Sequence, residues 1–186
     1  NIAYVDSTGR YFLFGKLYDM KAQQDLTANR MEEIQKIDLS RLDLSLAFKR
    51  VQGTGSRVLY VFSDPDCPYC KQLEKSLAML ENVTIHTFMM PLASIHPDAH
   101  RKAVSVWCAK DRAAAWGDLL LRGKEPKGAA CDNPIDKVVA LAESMGINGT
   151  PTLFSADGRK MAGTRDADAI SKWLDGAVAT KTANKE

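Results

Sequence analysis

Two cysteines separated by two residues, Cys67-Pro68-Tyr69-Cys70, stand between an apolar run and a helical pattern, and this placement constrains the chain more than any other feature. The run before them, Val58-Leu59-Tyr60-Val61-Phe62, has the length and unbroken apolarity of a central buried strand. After them Leu73, Leu77 and Leu80 recur three and four apart, the interval of one helix face. A thiol at such a junction lies at a helix N-terminus, where the dipole and unpaired N–H groups lower a thiol pKa from about 8.5 toward roughly 3.5–7.5. Cys67 is expected to be the attacking nucleophile, and Cys70, one turn into the helix, the thiol that resolves a mixed disulfide. The competing readings are a structural disulfide and half of a zinc site. Zinc needs two more ligands, usually a second close pair. His96 and His100 lie near a predicted helix start without a nearby cysteine and His86 lies in a predicted strand, so neither metal nor cofactor is expected.

The rest of the chain alternates strands and helices. Residues 83–90 read as a second strand, residues 97–145 as a mostly helical segment interrupted by a loop at 123–134, and Thr152-Leu153-Phe154 as the start of a third strand. Ala156-Asp157-Gly158-Arg159 turns the chain, residues 160–164 return antiparallel, and a last helix over about 168–178 places Ile170, Trp173, Leu174 and Val178 on one face. The order implies an α/β domain with a mixed sheet and helices on its faces.

Ahead of this domain, residues 2–5 and 11–14 flank Asp6-Ser7-Thr8-Gly9, a β-hairpin signal. Two strands alone are marginal in water, so the hairpin must pack on the rest of the chain, a partner chain, or a part of its domain outside this sequence. From Thr27, a candidate N-cap with Glu32 and Glu33 near the first turn, the residues Met31, Ile34, Ile37 and Leu42 recur at helical intervals. This reads as a linker helix broken somewhere in 38–46, followed by a flexible polar boundary at Gln52-Gly53-Thr54-Gly55-Ser56.

Composition narrows the function class. With 25 basic and 23 acidic side chains the net charge is +2, which excludes strong polyanion binding on charge alone. At 45% hydrophobic and 26% charged residues the chain is not disordered throughout. No stretch approaches the eighteen or so apolar residues of a membrane span, so a soluble protein is expected. The chain starts at Asn1 without a basic-then-apolar leader, and the expectation is that one has been removed. Residues 180–186 read as a flexible polar tail.

The remaining cysteines, Cys108 and Cys131, are either a second redox pair or a structural disulfide pinning the helical segment. The structural reading is preferred, because Cys108 lies in an apolar helical stretch and not at a helix start. Such a bridge would stabilise by about 3.5 kcal/mol on loop entropy and implies an oxidising compartment. Met89, Met90, Trp107, Trp116 and Trp173 read as core rather than as a groove for unfolded clients. Asp64 and Asp66 precede Cys67, where like charge would raise its thiol or a carboxylate would serve proton transfer, but as loop carboxylates they read as solvated; Lys71 reads as a surface lysine compatible with thiolate stabilisation.

Strand, Cys67-Pro68-Tyr69-Cys70, helix and then Gly149-Thr150-Pro151-Thr152 at the mouth of a later strand together resemble the thioredoxin superfamily. The likeness implies that Thr150-Pro151 is a cis-proline loop facing the cysteines, where the Thr150 backbone pairs with an extended substrate segment. Val61 stands where thioredoxins carry a buried acid, so proton handling is expected to differ.

With Trp107-Cys108-Ala109-Lys110-Asp111 and Cys131 in order between these motifs, nearly the whole chain resembles the bacterial periplasmic disulfide isomerases of the DsbC/DsbG family. The resemblance implies a thioredoxin-like fold with a helical insertion at about 96–146, within a catalytic domain at 56–179. It implies the end of a dimerisation domain at residues 1–20, where Gly15-Lys16-Leu17-Tyr18-Asp19 carries the likeness, and a linker helix and hinge at 21–55. It carries over Cys67 and Cys70 as catalytic, Pro68 and Tyr69 as redox-tuning, Thr150 and Pro151 as substrate-binding, and Cys108 with Cys131 as the structural disulfide. The implied activity is isomerisation or reduction of incorrect disulfides in exported proteins, in the periplasm, by a V-shaped homodimer kept reduced by a membrane-embedded thiol reductase. Pro68-Tyr69 is like the DsbG branch, so a reductase protecting single oxidised cysteines stays open, as do a chaperone-like holdase and an oxidase.

Overall fold

Val61 lies in the middle of a five-stranded sheet in the computed structural model, which describes residues 2–128 and 130–183. The chain divides into two units, residues 1–36 and 37–186. In the larger unit, β6 (Arg57–Ser63) runs parallel to β7 (Val83–Met89), with Val61 opposite Thr87. Helix α2 (Pro68–Ala78) makes the crossover that a parallel pair requires. On the other side of β6 lie antiparallel β8 (Thr152–Ser155) and then the edge strand β9 (Lys160–Ala162). Antiparallel β5 (Phe48–Gln52) closes the far edge beside β7, giving the order β5-β7-β6-β8-β9.

Alternation along β6 sends its side chains to two cores. Leu59 and Val61 pack with Leu73 and Leu77 of α2 and with Ile170 and Leu174 of α6 (Ala167–Ala183). Phe62 turns the other way, stacking on Phe88 at 4.7 Å and meeting Phe154 edge-on at 6.1 Å. Val138 and Ala142 of α5 (Ile135–Ser144) complete that side. The segment read as mostly helical contains α3 (Ala99–Trp107), α4 (Arg112–Arg122) and α5. Asp111 starts α4 by accepting the Ala114 N–H at 2.9 Å, and Gly123 ends it at φ +64°. Met89, Met90, Trp107 and Trp116 are core, and Trp173 is half-buried under the Arg159 guanidinium.

Three local expectations change. Residues 48–52, within the segment assigned to linker and hinge, form β5, whose polar FKRVQ sequence hides its edge position. Residues 52–56 are a fixed turn: Gly53 sits at φ +56°, and a Cβ there would come within 2.5 Å of Asn82 Oδ1. Helix α6 continues through Ala183, past the start of the expected tail, while residues 184–186 lie outside the described residues.

In the smaller unit, β1 (Ala3–Val5) pairs antiparallel with β2 (Phe12–Phe14). Asp6 clasps the turn, its Oδ1 accepting the N–H groups of Arg10 and Tyr11 at 2.9 Å each. The Thr8 hydroxyl, Tyr11 and the other donors of this turn hold the Asp6 carboxyl below its ordinary range. A second short pair, β3 (Tyr18–Asp19) and β4 (Gln24–Asp25), leads into α1 (Leu26–Ile34). The cap of α1 is Asp25, which accepts from Ala28 N at 2.8 Å, and not Thr27, whose hydroxyl accepts the Leu17 N–H at 2.7 Å. Glu32 and Glu33 accordingly fall in the last turn. Residues 39–41 and 44–46 of the other unit are short 3-10 turns where a broken helix was expected. Tyr11, Phe12, Leu13 and Phe14 are all exposed, as a hairpin too small to bury its own apolar side chains must leave them. Among the described residues no helix is long and apolar enough to cross a membrane.

Candidate active site

Strand β6 delivers the chain to the site at Ser63, and the next four residues turn it into α2. Cys67 is the N-cap of α2, in extended conformation at φ −63° and ψ 122°, and Pro68 occupies the first helical position, where its missing N–H costs nothing. Cys67 makes no side-chain cap bond and is only 5% exposed, and its Sγ–H donates instead to the Thr150 carbonyl. That sulfur lies 3.6 Å from the carbonyl oxygen of Thr150, and the Thr150–Pro151 peptide is cis. The structure thus brings together residues 83 positions apart.

Cys70 sits one turn deeper and is 1% exposed. Burial pushes its thiol up to about 12; the Ser63 hydroxyl, the Asp64 N–H at 3.4 Å and the Thr150 hydroxyl offset this only in part, and the neighbouring Cys67 adds to it. Cys70 is therefore a protonated, inert thiol at neutral pH. On the reduced chain at pH 7.5, iodoacetamide should modify Cys67 in preference to Cys70, whose raised thiol should react more slowly than an ordinary cysteine. Peptide mapping by mass spectrometry checks this, and Cys70 should become reactive only on unfolding or as the pH approaches its raised value.

Asp64 is not solvated, contrary to expectation. Its carboxylate is fully buried and accepts three backbone N–H groups: Asp66 at 2.7 Å and Cys67 at 3.0 Å on Oδ1, and Leu92 at 2.6 Å on Oδ2. The sequence carries a signal for part of this, since a short carboxylate two and three residues before free helix-start amides forms an Asx turn. The bond to Leu92 and the approach of His96 Nδ1 to Oδ2 at 3.1 Å are long-range and have no local signal. Asp66 ion-pairs with Lys102 at 2.7 Å, and that hydrogen bond raises the Lys102 ammonium above its usual value.

Under α2, Glu74 is a second buried carboxylate, ion-paired with Arg50 of β5 and accepting the Trp116 indole N–H at 3.2 Å. No sequence signal marks it, because its partners lie 24 and 42 positions away. Cys108, the C-cap of α3, forms a disulfide with Cys131 in the loop between α4 and α5. Tyr69 is exposed, Pro68 begins α2, and Lys71 is half-buried. Among the described residues no group of three or more His, Cys, Asp or Glu is placed to hold a metal. His100 instead meets Asp136 at 2.9 Å, and His86 in β7 stacks on Tyr60.

A thiol capping the helix after a central strand, a buried second thiol behind it and a cis-proline loop across from both define a thioredoxin-like thiol–disulfide site. The chain belongs to the thioredoxin-like domain family, whose model matches residues 44–177, and residues 1–28 match the disulfide bond isomerase protein N-terminal domain. A probable thiol:disulfide interchange protein DsbC of Bordetella pertussis is 38% identical over 174 residues, which are 94% of this chain and 62% of that relative. The Escherichia coli K12 thiol:disulfide interchange protein DsbC is 24% identical over 94% of this chain and 73% of its own length. Among solved structures, a disulfide interchange protein from Neisseria gonorrhoeae is 44% identical and superposes with a TM-score of 0.71, covering 73% of this chain and 97% of that one. The chain spans somewhat less than two thirds of the length of the Bordetella relatives it matches.

Proposed function

We propose that the protein is a thiol:disulfide interchange enzyme that isomerises or reduces incorrect disulfides in exported proteins of the periplasm. The observation that carries this is Cys67 Sγ, outside any disulfide at the start of α2 and 3.6 Å from the Thr150 carbonyl, with Cys70 one turn deeper and likewise unbridged. The Cys67 thiolate attacks one sulfur of a substrate disulfide, forming a mixed disulfide and releasing the other substrate sulfur as a thiolate. A substrate thiolate then attacks the mixed disulfide and frees Cys67, which is isomerisation without net electron transfer. Alternatively Cys70 loses its proton and attacks Cys67, giving a Cys67–Cys70 disulfide and a substrate reduced by two electrons. The high resting value of the Cys70 thiol favours the first route, since it delays the second.

In this reading Pro68 and Tyr69 tune the thiol pair, Thr150 and Pro151 hold the substrate segment, and the Cys108–Cys131 bond braces the insert. Residues 1–20 are the end of a dimerisation domain, and the linker that begins at residue 21 ends before β5, which belongs with residues 56–179 to the catalytic domain. A homodimer formed through the smaller unit is supported by the match of residues 1–28 and by the exposed Phe12, Leu13 and Phe14. A membrane-embedded reductase returns Cys67 and Cys70 to thiols. Replacing Cys67 by Ala should abolish refolding of a scrambled multi-disulfide substrate, and retained refolding overturns the assignment.

Two observations favour variants of this reading. Pro68-Tyr69 between the cysteines fits a DsbG-like reductase that rescues single oxidised cysteines, and the exposed aromatic strand of the smaller unit fits a holdase. Aggregation suppression that survives in the Cys67/Cys70 double Ala variant assigns the holdase activity; its loss assigns the thiols. An oxidase is the weakest alternative, and accumulation of the Cys67–Cys70 disulfide in cells would point to it.

A further inference from the structure

Asn148 is the one asparagine in the chain that is followed by glycine. The pair lies in the loop between α5 and β8, just ahead of Thr150, whose carbonyl stands 3.6 Å from the Cys67 sulfur. Asn148 is exposed, and among the described residues neither its side-chain amide nor the backbone N–H of Gly149 has a hydrogen-bond partner. Backbone N–H groups of a folded chain are ordinarily held by another part of it, and this one is not. Gly149 also lacks the side chain that would shield its nitrogen, and its backbone turns more freely than that of any other residue. An unshielded nitrogen beside an unheld side-chain amide is the arrangement in which asparagine is chemically labile.

Comparable positions are closed off. In Asp157-Gly158 the Gly158 N–H donates to the Ser155 carbonyl at 3.0 Å, and the carboxylate pairs with Arg159 at 2.8 Å. Asp175-Gly176 lies inside α6, and Asn29 inside α1. Asn82 Oδ1 accepts the Thr54 N–H at 3.0 Å, and Asn133 precedes a proline, which has no N–H.

We propose that Asn148-Gly149 is a site of spontaneous covalent modification, at which deamidation to isoaspartate withdraws the Thr150 carbonyl from Cys67. The Gly149 nitrogen gives up its proton to water and attacks Asn148 Cγ. The bond from Cγ to Nδ2 breaks, the nitrogen takes up a proton and leaves as ammonia, and a cyclic succinimide remains. Water then opens the ring at either carbonyl. Opening at Cγ gives aspartate with the original backbone; opening at the main-chain carbonyl gives isoaspartate, in which the backbone runs through Cβ and Cγ and is one carbon longer. Nothing is oxidised or reduced. The added length cannot spread along the chain. On one side Ile147 is 1% exposed and its N–H is held by the Ala142 carbonyl at 2.9 Å. On the other, the Pro151 carbonyl accepts the Gly163 N–H at 2.9 Å, and Thr152, 4% exposed, lies opposite Phe62 in the sheet. Residues 148–150 must therefore take up the extra carbon, and Thr150 is the member of that segment that meets the thiols. The inference rests on the thiol-exchange reading only for this consequence and not for the modification itself.

The test is to age the unaltered chain in warm, mildly alkaline buffer and to locate isoaspartate by enzymatic carboxyl methylation and peptide mapping. The signal should concentrate at residue 148 and exceed that at Asn29 and Asn82; a signal at 148 no higher than at these two overturns the proposal. Gly149→Ala should lose most of it, because a Cβ crowds the approach of the residue 149 nitrogen to Cγ. That Cβ would meet nothing within 4 Å, and the backbone there lies outside the left-handed region, so the fold accommodates the variant. Undiminished isoaspartate in G149A overturns the proposal as well. For the consequence, the isoaspartate form is separated by chromatography and assayed for refolding of a scrambled multi-disulfide substrate. Its rate should fall several-fold below that of unmodified protein, whereas Asn148→Asp, which adds the charge at unchanged backbone length, should keep the unmodified rate. Equal rates for the isoaspartate and unmodified forms, or an equal loss in N148D, overturn the link to Thr150. A failure of the exchange reading appears instead in the Cys67→Ala refolding assay, with the yield of isoaspartate untouched.

Discussion

Replacing Arg50 by Met should destabilise the protein by about 3–5 kcal/mol, the cost of leaving a buried charge without its partner. Arg50 and Glu74 have side-chain exposures of 19% and 4%, and only the Trp116 indole N–H would remain to serve the carboxylate. The same pair can be removed together at small cost, because the gain from attraction and the loss from desolvation nearly offset in a buried ion pair. The Arg50→Met/Glu74→Met variant should accordingly recover most of the lost stability. A chemical-denaturation series on the two single variants and the double variant measures the coupling. Equal additive losses would show that the two side chains do not act as a pair. Since Glu74 is on α2, four residues beyond Cys70, and Arg50 on β5, the pair also joins the helix of the thiols to the edge of the sheet.

A second large effect is expected at Phe62, which is fully buried between Phe88 and Phe154. Phe62→Ala removes one ring from a three-ring cluster whose other members lie on β7 and β8, so the cavity cannot close without moving two strands. The loss should be about 3–5 kcal/mol, and Phe62→Leu should restore more than half of it. Thermal or denaturant unfolding reads both. The effect should also reach the site, because β8 begins immediately after Pro151 and holds the cis-proline loop in place.

The features legible in the sequence are those with local causes. The run around Val61, the helical leucines after Cys70 and the turn at Asp6 each declare themselves within about ten residues, and each forms as its pattern predicts. The class of the site is legible as well, because a cysteine pair at a strand-to-helix junction depends on order along the chain. What escapes is contact across the chain. Asp64 reads as one of two loop carboxylates, yet the amides of Leu92 and Cys67 close around it, and His96 has no neighbour in sequence that hints at its partner. Glu74 lies on an apparently ordinary amphipathic helix, and Arg50 on a strand too polar to read as one. Gly53 and Gly55 show a different limit: composition alone reads glycine as flexibility, whereas here positive φ angles fix a turn that sets Gly53 against Asn82 and Gly55 against Thr84. Thr27 has the side chain of a helix cap, but the demand of the Leu17 amide occupies it and leaves the role to Asp25.

The 83 positions between Cys67 and Thr150 carry a consequence for the life of the chain before it is complete. Synthesis runs from the N-terminus, so β6, both thiols, α2 and β7 exist before the insert and well before β8 can dock on β6. An emerging chain therefore bears both thiols of this site before it bears the Thr150–Pro151 loop that lies across from them. During that interval Cys67 shares the chain with the unpaired Cys108, whose own partner Cys131 follows 23 positions later. Docking of β8 on β6 is the event that brings the Thr150 carbonyl to the Cys67 sulfur.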